Sequence, residues 1–184
     1  MNKRWEILPI DEKKQILLEK NLHISSSLAE ILTRKNLDEN SAKLFLNPTK
    51  IPYHDPFLLK DMEKACQRLL LALKNKEKIC IYGDYDVDGV SSTALLMTVF
   101  TKLGFNIDYY LPDRHSEGYG LHIESLQKLI PKYDLLITVD CGITALDEVD
   151  YAKDKIDMII TDHHLPREIL PDAFVIIPTK IFAV

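Results

Sequence analysis

The sequence predicts an α/β fold: a mostly parallel sheet flanked by helices and preceded by a small helical leader. Two observations point there. From Lys78 onward, short apolar runs alternate with segments of helical periodicity, the pattern of βαβ units. Before that, Pro48, Pro52 and Pro56 fall close together, which excludes a continuous helix and marks a linker after a helical start. The domain organisation read from this is a helical leader and Pro-rich linker over residues 1–55 and an α/β domain over residues 56–184.

In the leader, Leu28, Ile31 and Leu32 recur at i, i+3 and i+4 behind Ser25-Ser26-Ser27, which offer N-caps, and a second short helix spans Asp38 to Leu46. After the linker, Met62, Ala65, Cys66, Leu69, Leu70 and Leu73 trace one face of a long amphipathic helix. The expected strands are Ile79 to Tyr82, Ile107 to Leu111, Leu135 to Val139, Met158 to Ile160 and Phe174 to Ile177. Helices lie between them, through Leu95, Val99 and Leu103, then Leu121 to Ile130, then Thr144 to Ala152. The last strand is followed by no closing helix, so the domain reads as truncated.

Bulk properties are those of an ordinary globular chain, 46% hydrophobic and 28% charged over 184 residues. No run approaches the roughly 18 apolar residues of a membrane span, and the N-terminus lacks a signal-peptide core. A cytoplasmic location without membrane association is expected. The net charge of −5 argues against a broad non-specific nucleic-acid surface. Acidic metal ligands contribute to that charge and are neutralised when divalent ions bind. The three cysteines form no Cys-x-x-Cys pair. Cys66 and Cys80 read as buried thiols, and Cys141 as either a packing residue or a wall of a site.

Chemistry concentrates where strands end. Ile79 to Tyr82 leads through Gly83 into Asp84, Asp86 and Asp88; Leu135 to Val139 ends at Asp140; Met158 to Ile160 ends at Thr161-Asp162-His163-His164. Ligands bind beyond the carboxyl ends of parallel strands, and a carboxylate on an apolar strand end is costly unless something pairs it. Carboxylates with imidazoles suit Mn²⁺ or Mg²⁺, and two such ions about 3.5–4 Å apart support in-line displacement at phosphorus. Asp140 is the candidate for a shared ligand. Gly89 and Ser91-Ser92-Thr93 open the next helix, whose free N–H groups suit a phosphate oxygen.

The Asp84-x-Asp86-x-Asp88-Gly89 spacing also matches the start of an EF-hand loop, but Leu95 stands where the closing Glu is required. A solvated acidic turn and a helix-capping cluster remain alternatives for the first and third groups taken singly. His23 and His54 read as surface or packing residues. His115 and His122 flank a loop after the second strand in which Gly118 and Gly120 suggest backbone held close to something. Arg114 and His115 there suit either a phosphate contact or a surface turn.

At Tyr82-Gly83-Asp84-Tyr85-Asp86-Val87-Asp88-Gly89-Val90-Ser91-Ser92-Thr93, Pro112-Asp113-Arg114 through Gly120-Leu121, Thr138-Val139-Asp140-Cys141-Gly142 and Asp162-His163-His164, the sequence resembles the DHH phosphoesterase superfamily. The leader segments Leu32-Thr33-Arg34-Lys35-Asn36-Leu37 and Phe45-Leu46-Asn47-Pro48 resemble those of its single-stranded-DNA exonucleases. Tyr82, four residues before Asp86, stands where the superfamily's pyrophosphatases and small-nucleotide phosphodiesterases carry a histidine, which favours the exonuclease branch.

The resemblance implies a DHH-type, Rossmann-like domain. Asp86, Asp88, Asp140 and His163 would bind two Mn²⁺ or Mg²⁺ ions, His164 would contact the scissile phosphate, and Asp84 would support the cluster. From the residues themselves, Arg114, His115 and Gly118 in the loop and Ser91 and Ser92 at the helix start are the candidate substrate contacts. The implied reaction is 5′-to-3′ hydrolysis of single-stranded DNA in recombination and repair, with single-stranded DNA and other recombination or replication proteins as partners. The family's further Asp ligand, its DHHA1 domain and the exonucleases' OB domain are not in this sequence. Ile177-Pro178 replaces an expected Asn-Pro, so residues from about 178 onward are read as unrelated. A phosphodiesterase for short oligonucleotides or cyclic dinucleotides, and an inactive remnant, are the alternative readings.

Overall fold

The computed structural model describes residues 9–51 and 53–178 and divides into two compact units, Met1–His54 and Asp55–Val184. The first unit holds α1 (Glu12–Leu22), α2 (Ser26–Arg34) and α3 (Glu39–Leu46). Each starts on a side-chain cap: Asp11 accepts the Lys14 N–H, Ser25 that of Leu28 and Asp38 that of Ser41. Leu18, Ala29, Leu32 and Ala42 form a small core. Ile31, expected on the apolar stripe, is 52% exposed while Leu32 is fully buried. Pro48 and Pro56 each open a single 3₁₀ turn, where the missing N–H costs nothing. Pro52 lies outside the described residues.

The second unit begins with α4 (Met62–Asn75) and then alternates: β1 (Lys78–Gly83), α5 (Val87–Lys102), β2 (Asn106–Tyr110), α6 (Ile123–Leu129), β3 (Leu135–Val139), α7 (Leu146–Ala152), β4 (Asp157–Asp162) and β5 (Val175–Pro178). The strands form one all-parallel sheet in the order β2-β1-β3-β4-β5. Its apolar runs are continuous because both faces are covered. Cys80, Tyr82, Leu136, Met158, Ile160 and Ile176 pack with Leu126, Leu129, Val149 and Ala152 of α6 and α7. The alternate residues Ile79, Leu135, Ile137, Ile159, Val175 and Ile177 pack with Ala65 and Ala72 of α4 and Leu96 and Phe100 of α5.

Several boundaries differ from expectation. β4 runs on through Asp162, so that aspartate ends the strand instead of opening a loop. β5 is shifted one residue, with Pro178 tolerated because β5 is an edge strand. α7 starts at Leu146, not Thr144, because the Ala145 N–H donates to the Gly142 carbonyl in a turn. α6 starts after Leu121, which is buried in the core, and ends before Pro131. Of the tail expected from about residue 178, Pro178 still pairs with Asp162 in β5, and residues 179–184 lie outside those described.

Candidate metal centre

The sheet order reverses direction at β1: the chain passes to β2 on one side and to β3 on the other. That switch point opens a crevice beyond the strand ends, and the Asp84 and Asp140 segments leave β1 and β3 on either side of it. Two glycines let α5 close onto it. A Cβ on Gly83 would lie 2.1 Å from Thr93 Oγ1, and one on Gly89 would lie 2.4 Å from the Asp84 carbonyl oxygen. The glycine after Asp88 thus serves close packing of helix on strand, not a calcium loop.

α5 starts at Val87, earlier than expected, and Asp86 is its N-cap. The Asp86 Oδ1 accepts the N–H groups of Asp88 and Gly89, each at 3.0 Å. The Gly89 N–H is the main reason the Asp86 carboxyl titrates below its ordinary range. This corrects the expectation of free N–H groups for a phosphate oxygen, since the chain's own carboxylate takes them. The Ser91 hydroxyl likewise donates to the Val87 carbonyl at 2.6 Å. Ser91 and Ser92 nevertheless line a cleft of about 420 Å³ together with Asp88, Asp140, Asp162 and His163.

β3 delivers Asp140 in the left-handed region, φ +62°, a conformation that costs about 1–2 kcal/mol outside glycine. Its N–H donates to the Thr161 carbonyl, which locks the strand end onto β4. β4 delivers the rest. Asp162, 4% exposed, accepts the Ile143 N–H at 3.0 Å through one oxygen. Its other oxygen accepts the His164 N–H at 2.9 Å and lies 2.7 Å from His164 Nδ1. His163 Nε2 lies 2.8 Å from Asp140 Oδ1. That contact is an ion-pair distance and not an aligned hydrogen bond, and among the described residues Asp140 Oδ1 has no hydrogen-bond partner. Donor atoms of Asp140, His163 and His164 all fall within 4.8 Å of one another.

The electrostatics fit a cation. Asp84 is fully buried, and among the described residues neither of its carboxylate oxygens has a hydrogen-bond partner. A buried carboxylate without donors costs several kcal/mol, and a divalent ion is the group that offsets this. Burial pushes the Asp140 carboxyl up from its ordinary value, the Asp86 charge adds to this, and His163 and His164 oppose it. Orphaned carboxylate oxygens beside two imidazoles match the hard-ligand preferences of Mn²⁺ or Mg²⁺.

Beneath this cluster, Cys141 is fully buried and its Sγ lies 3.9 Å from the Tyr82 carbonyl. Burial holds its thiol well above the usual range, so Cys141 is a packing residue. Cys80 is buried too, its thiol pushed up to about 12, whereas Cys66 is only half-buried.

The loop after β2 lies at the rim. The Arg114 guanidinium sits 5.5 Å over the Tyr85 ring, beside the Asp84–Asp88 turn. His115 is exposed, and its backbone N–H is tied to Asp113. Gly118 and Gly120 have φ of +82° and +89° with open space where a Cβ would go, so backbone conformation, not a close approach, calls for glycine there. Two participants escaped the sequence reading. Tyr119 places its hydroxyl 3.1 Å from His164 Nδ1 and 3.3 Å from the Asp140 carbonyl oxygen. Asp162, read there only as part of a motif, orients His164. The doublet of glycines around Tyr119 was the available signal for the first.

Fold and donor set together define an α/β domain that gathers carboxylates and imidazoles at one sheet edge. The chain belongs to the DHH family: residues 78–181 match the model of the DHH family, N-terminal domain. The single-stranded-DNA-specific exonuclease RecJ of Bacillus subtilis (strain 168) is 42% identical over 180 residues, covering 96% of this chain and 23% of that protein. A solved structure of exonuclease RecJ bound to manganese is similar with a TM-score of 0.64 at 33% identity, over 68% of this chain and 33% of that one. RecJ of Thermus thermophilus in complex with Mn²⁺ is similar with a TM-score of 0.68 at 25% identity, over 95% of this chain and 24% of that one. The chain spans about a quarter of the length of the curated relatives it matches. No helix among the described residues is long and apolar enough to cross a membrane.

Proposed function

We propose that this chain carries the metal-binding half of a RecJ-like active site, which hydrolyses single-stranded DNA from its 5′ end. The observation that carries the reading is the convergence of Asp140, His163 and His164 within 4.8 Å, beside carboxylate oxygens without hydrogen-bond partners among the described residues. Similarity to RecJ exonucleases over 96% of the chain supports the substrate class. In this reading Asp86, Asp88, Asp140 and His163 hold two Mn²⁺ or Mg²⁺ ions, with Asp84 supporting the cluster. Such ions supply Lewis-acid stabilisation of charge on the phosphate and make water a better nucleophile near neutral pH.

The chain's own groups do the rest. Asp162 fixes the ring of His164, which meets the scissile phosphate. Arg114, held on Tyr85, contributes a charge-assisted contact to the DNA backbone, with His115 and Gly118 in the same loop. Ser91 and Ser92 contact the substrate from the cleft wall. Single-stranded DNA is the partner, recombination and repair the setting, and the cytoplasm the compartment.

The test is a calorimetric Mn²⁺ titration together with hydrolysis of a 5′-labelled single strand and of a matched duplex. Wild type is expected to bind Mn²⁺ and to release mononucleotides from the single strand only, and Asp140→Ala to lose both. Binding and hydrolysis unchanged in Asp140→Ala would overturn the assignment.

A further inference from the structure

Tyr82, fully buried on β1, donates its hydroxyl to the Gly120 carbonyl at 3.0 Å. The residue before that carbonyl is Tyr119. Its hydroxyl lies 3.1 and 3.3 Å from the two ring nitrogens of His164 and 3.3 Å from the Asp140 carbonyl oxygen. The two rings meet edge-on with centroids 5.6 Å apart. Tyr119 sits between Gly118 and Gly120, both in the left-handed region with open space where a Cβ would go. Paired glycines make the backbone permissive on either side of it, so its position has to be imposed from outside.

Two anchors impose it. On the near side, the Glu117 carboxylate accepts the Tyr110 hydroxyl, the Ser125 hydroxyl at 2.7 Å and the Asp113 N–H at 2.8 Å. On the far side there is the Tyr82 hydroxyl. His164 in turn is held by Asp162 through Nδ1 and its own N–H, and the Tyr119 hydroxyl meets the ring from another direction.

We propose that Tyr82 and Tyr119 are positioning residues: Tyr82, through the Gly120 carbonyl, sets Tyr119, and the Tyr119 hydroxyl fixes the ring of His164 against Asp162. This rests on the reading of His164 as the group that meets the phosphate. Tyr82 is therefore more than a core aromatic whose hydroxyl happens to find an acceptor.

The test is side-chain ¹H–¹⁵N correlation spectroscopy of the histidines in the metal-free full chain, in EDTA, so that no paramagnetic ion intervenes. Tyr119→Phe is expected to shift or broaden the His164 ring nitrogens and leave those of His23 and His54 in place. Tyr82→Phe is expected to produce the same change, and the double variant no more than Tyr119→Phe alone. His164 signals of wild-type character in a folded Tyr82→Phe protein would overturn the proposal. Should that variant fail to fold, Gly120→Ala replaces it: at φ +89° a side chain strains the backbone, which displaces the same carbonyl from the loop side. The same His164 change then supports the proposal, and an unchanged spectrum overturns it.

In hydrolysis of a single strand, both Tyr→Phe variants are expected to lose roughly 10-fold in kcat, as supporting residues commonly do, with KM within about twofold. Unchanged kcat in both overturns the positioning role. A wild-type chain that hydrolyses nothing, yet whose His164 signals respond to both substitutions, supports the positioning and rejects the nuclease reading alone.

Discussion

Asp86 holds two roles in one carboxylate. Oδ1 caps α5 through the N–H groups of Asp88 and Gly89, while its charge bears on Asp140 across the crevice. The two roles separate by chemistry, because asparagine caps a helix about as well as aspartate but is a far weaker metal ligand. Asp86→Asn is expected to keep stability within about 0.5 kcal/mol and to weaken Mn²⁺ binding, whereas Asp86→Ala also loses about 1 kcal/mol of cap. Urea denaturation and Mn²⁺ titration of both variants check this. Equal Mn²⁺ affinity in wild type and Asp86→Asn would remove Asp86 from the ligand set. The cap itself was not legible beforehand. The acidic spacing shows that the turn gathers charge, but which N–H groups those charges meet depends on the helix starting two residues before Gly89.

The loop between β2 and α6 is anchored by two carboxylates, Asp113 inside it and Glu117 against Tyr110 and Ser125. The Tyr110 hydroxyl, then the Asp113 N–H and the Ser125 hydroxyl, hold the Glu117 carboxyl below its ordinary value of 4.5. A depressed carboxyl contributes stability that is fully present above the unfolded value and lost as the pH falls through the folded one. Amide exchange at Tyr119 is therefore expected to speed up as the pH is lowered from about 5, beyond the intrinsic pH dependence of exchange. Glu117→Gln, which has no such titration, is expected to weaken the response and leave the part carried by Asp113, whose carboxyl the Ser116 N–H holds low in the same way; an equal acid response in that variant would place the trigger elsewhere. Strands and the Asp and His residues at their ends were legible because each is a local pattern, an apolar run closed by Asp or His. The loop was not, because its anchors are Tyr110, Ser125 and, 45 residues away, His164. Its glycines signalled an unusual backbone, but open space around Gly118 and a close approach at Gly89 look alike in sequence.

Across the whole second unit, the sheet separates cohesion from chemistry. At the N-terminal ends of its strands, Arg68 of α4, 8% exposed, donates to Asp157 at 2.6 Å and to Glu77 at 2.7 Å. Asp134 extends the same corner, its carboxylate accepting the Lys78 N–H at 2.8 Å, so the starts of β1, β3 and β4 are tied together. The cluster of Asp140, His163 and His164 lies at the opposite ends of those strands, one strand length away, and shares none of these residues. Removing one partner of a buried pair costs about 3–5 kcal/mol; here Asp157 is 42% exposed, so solvent relieves part of that, and Arg68→Leu is expected to cost about 1–2 kcal/mol. The urea midpoint should fall with an unchanged slope, while Mn²⁺ affinity measured where the variant is still folded stays within about twofold of wild type. A larger loss of affinity would mean that the sheet passes strain from one end to the other, and the strand ends would then be a compliant site rather than a prebuilt one.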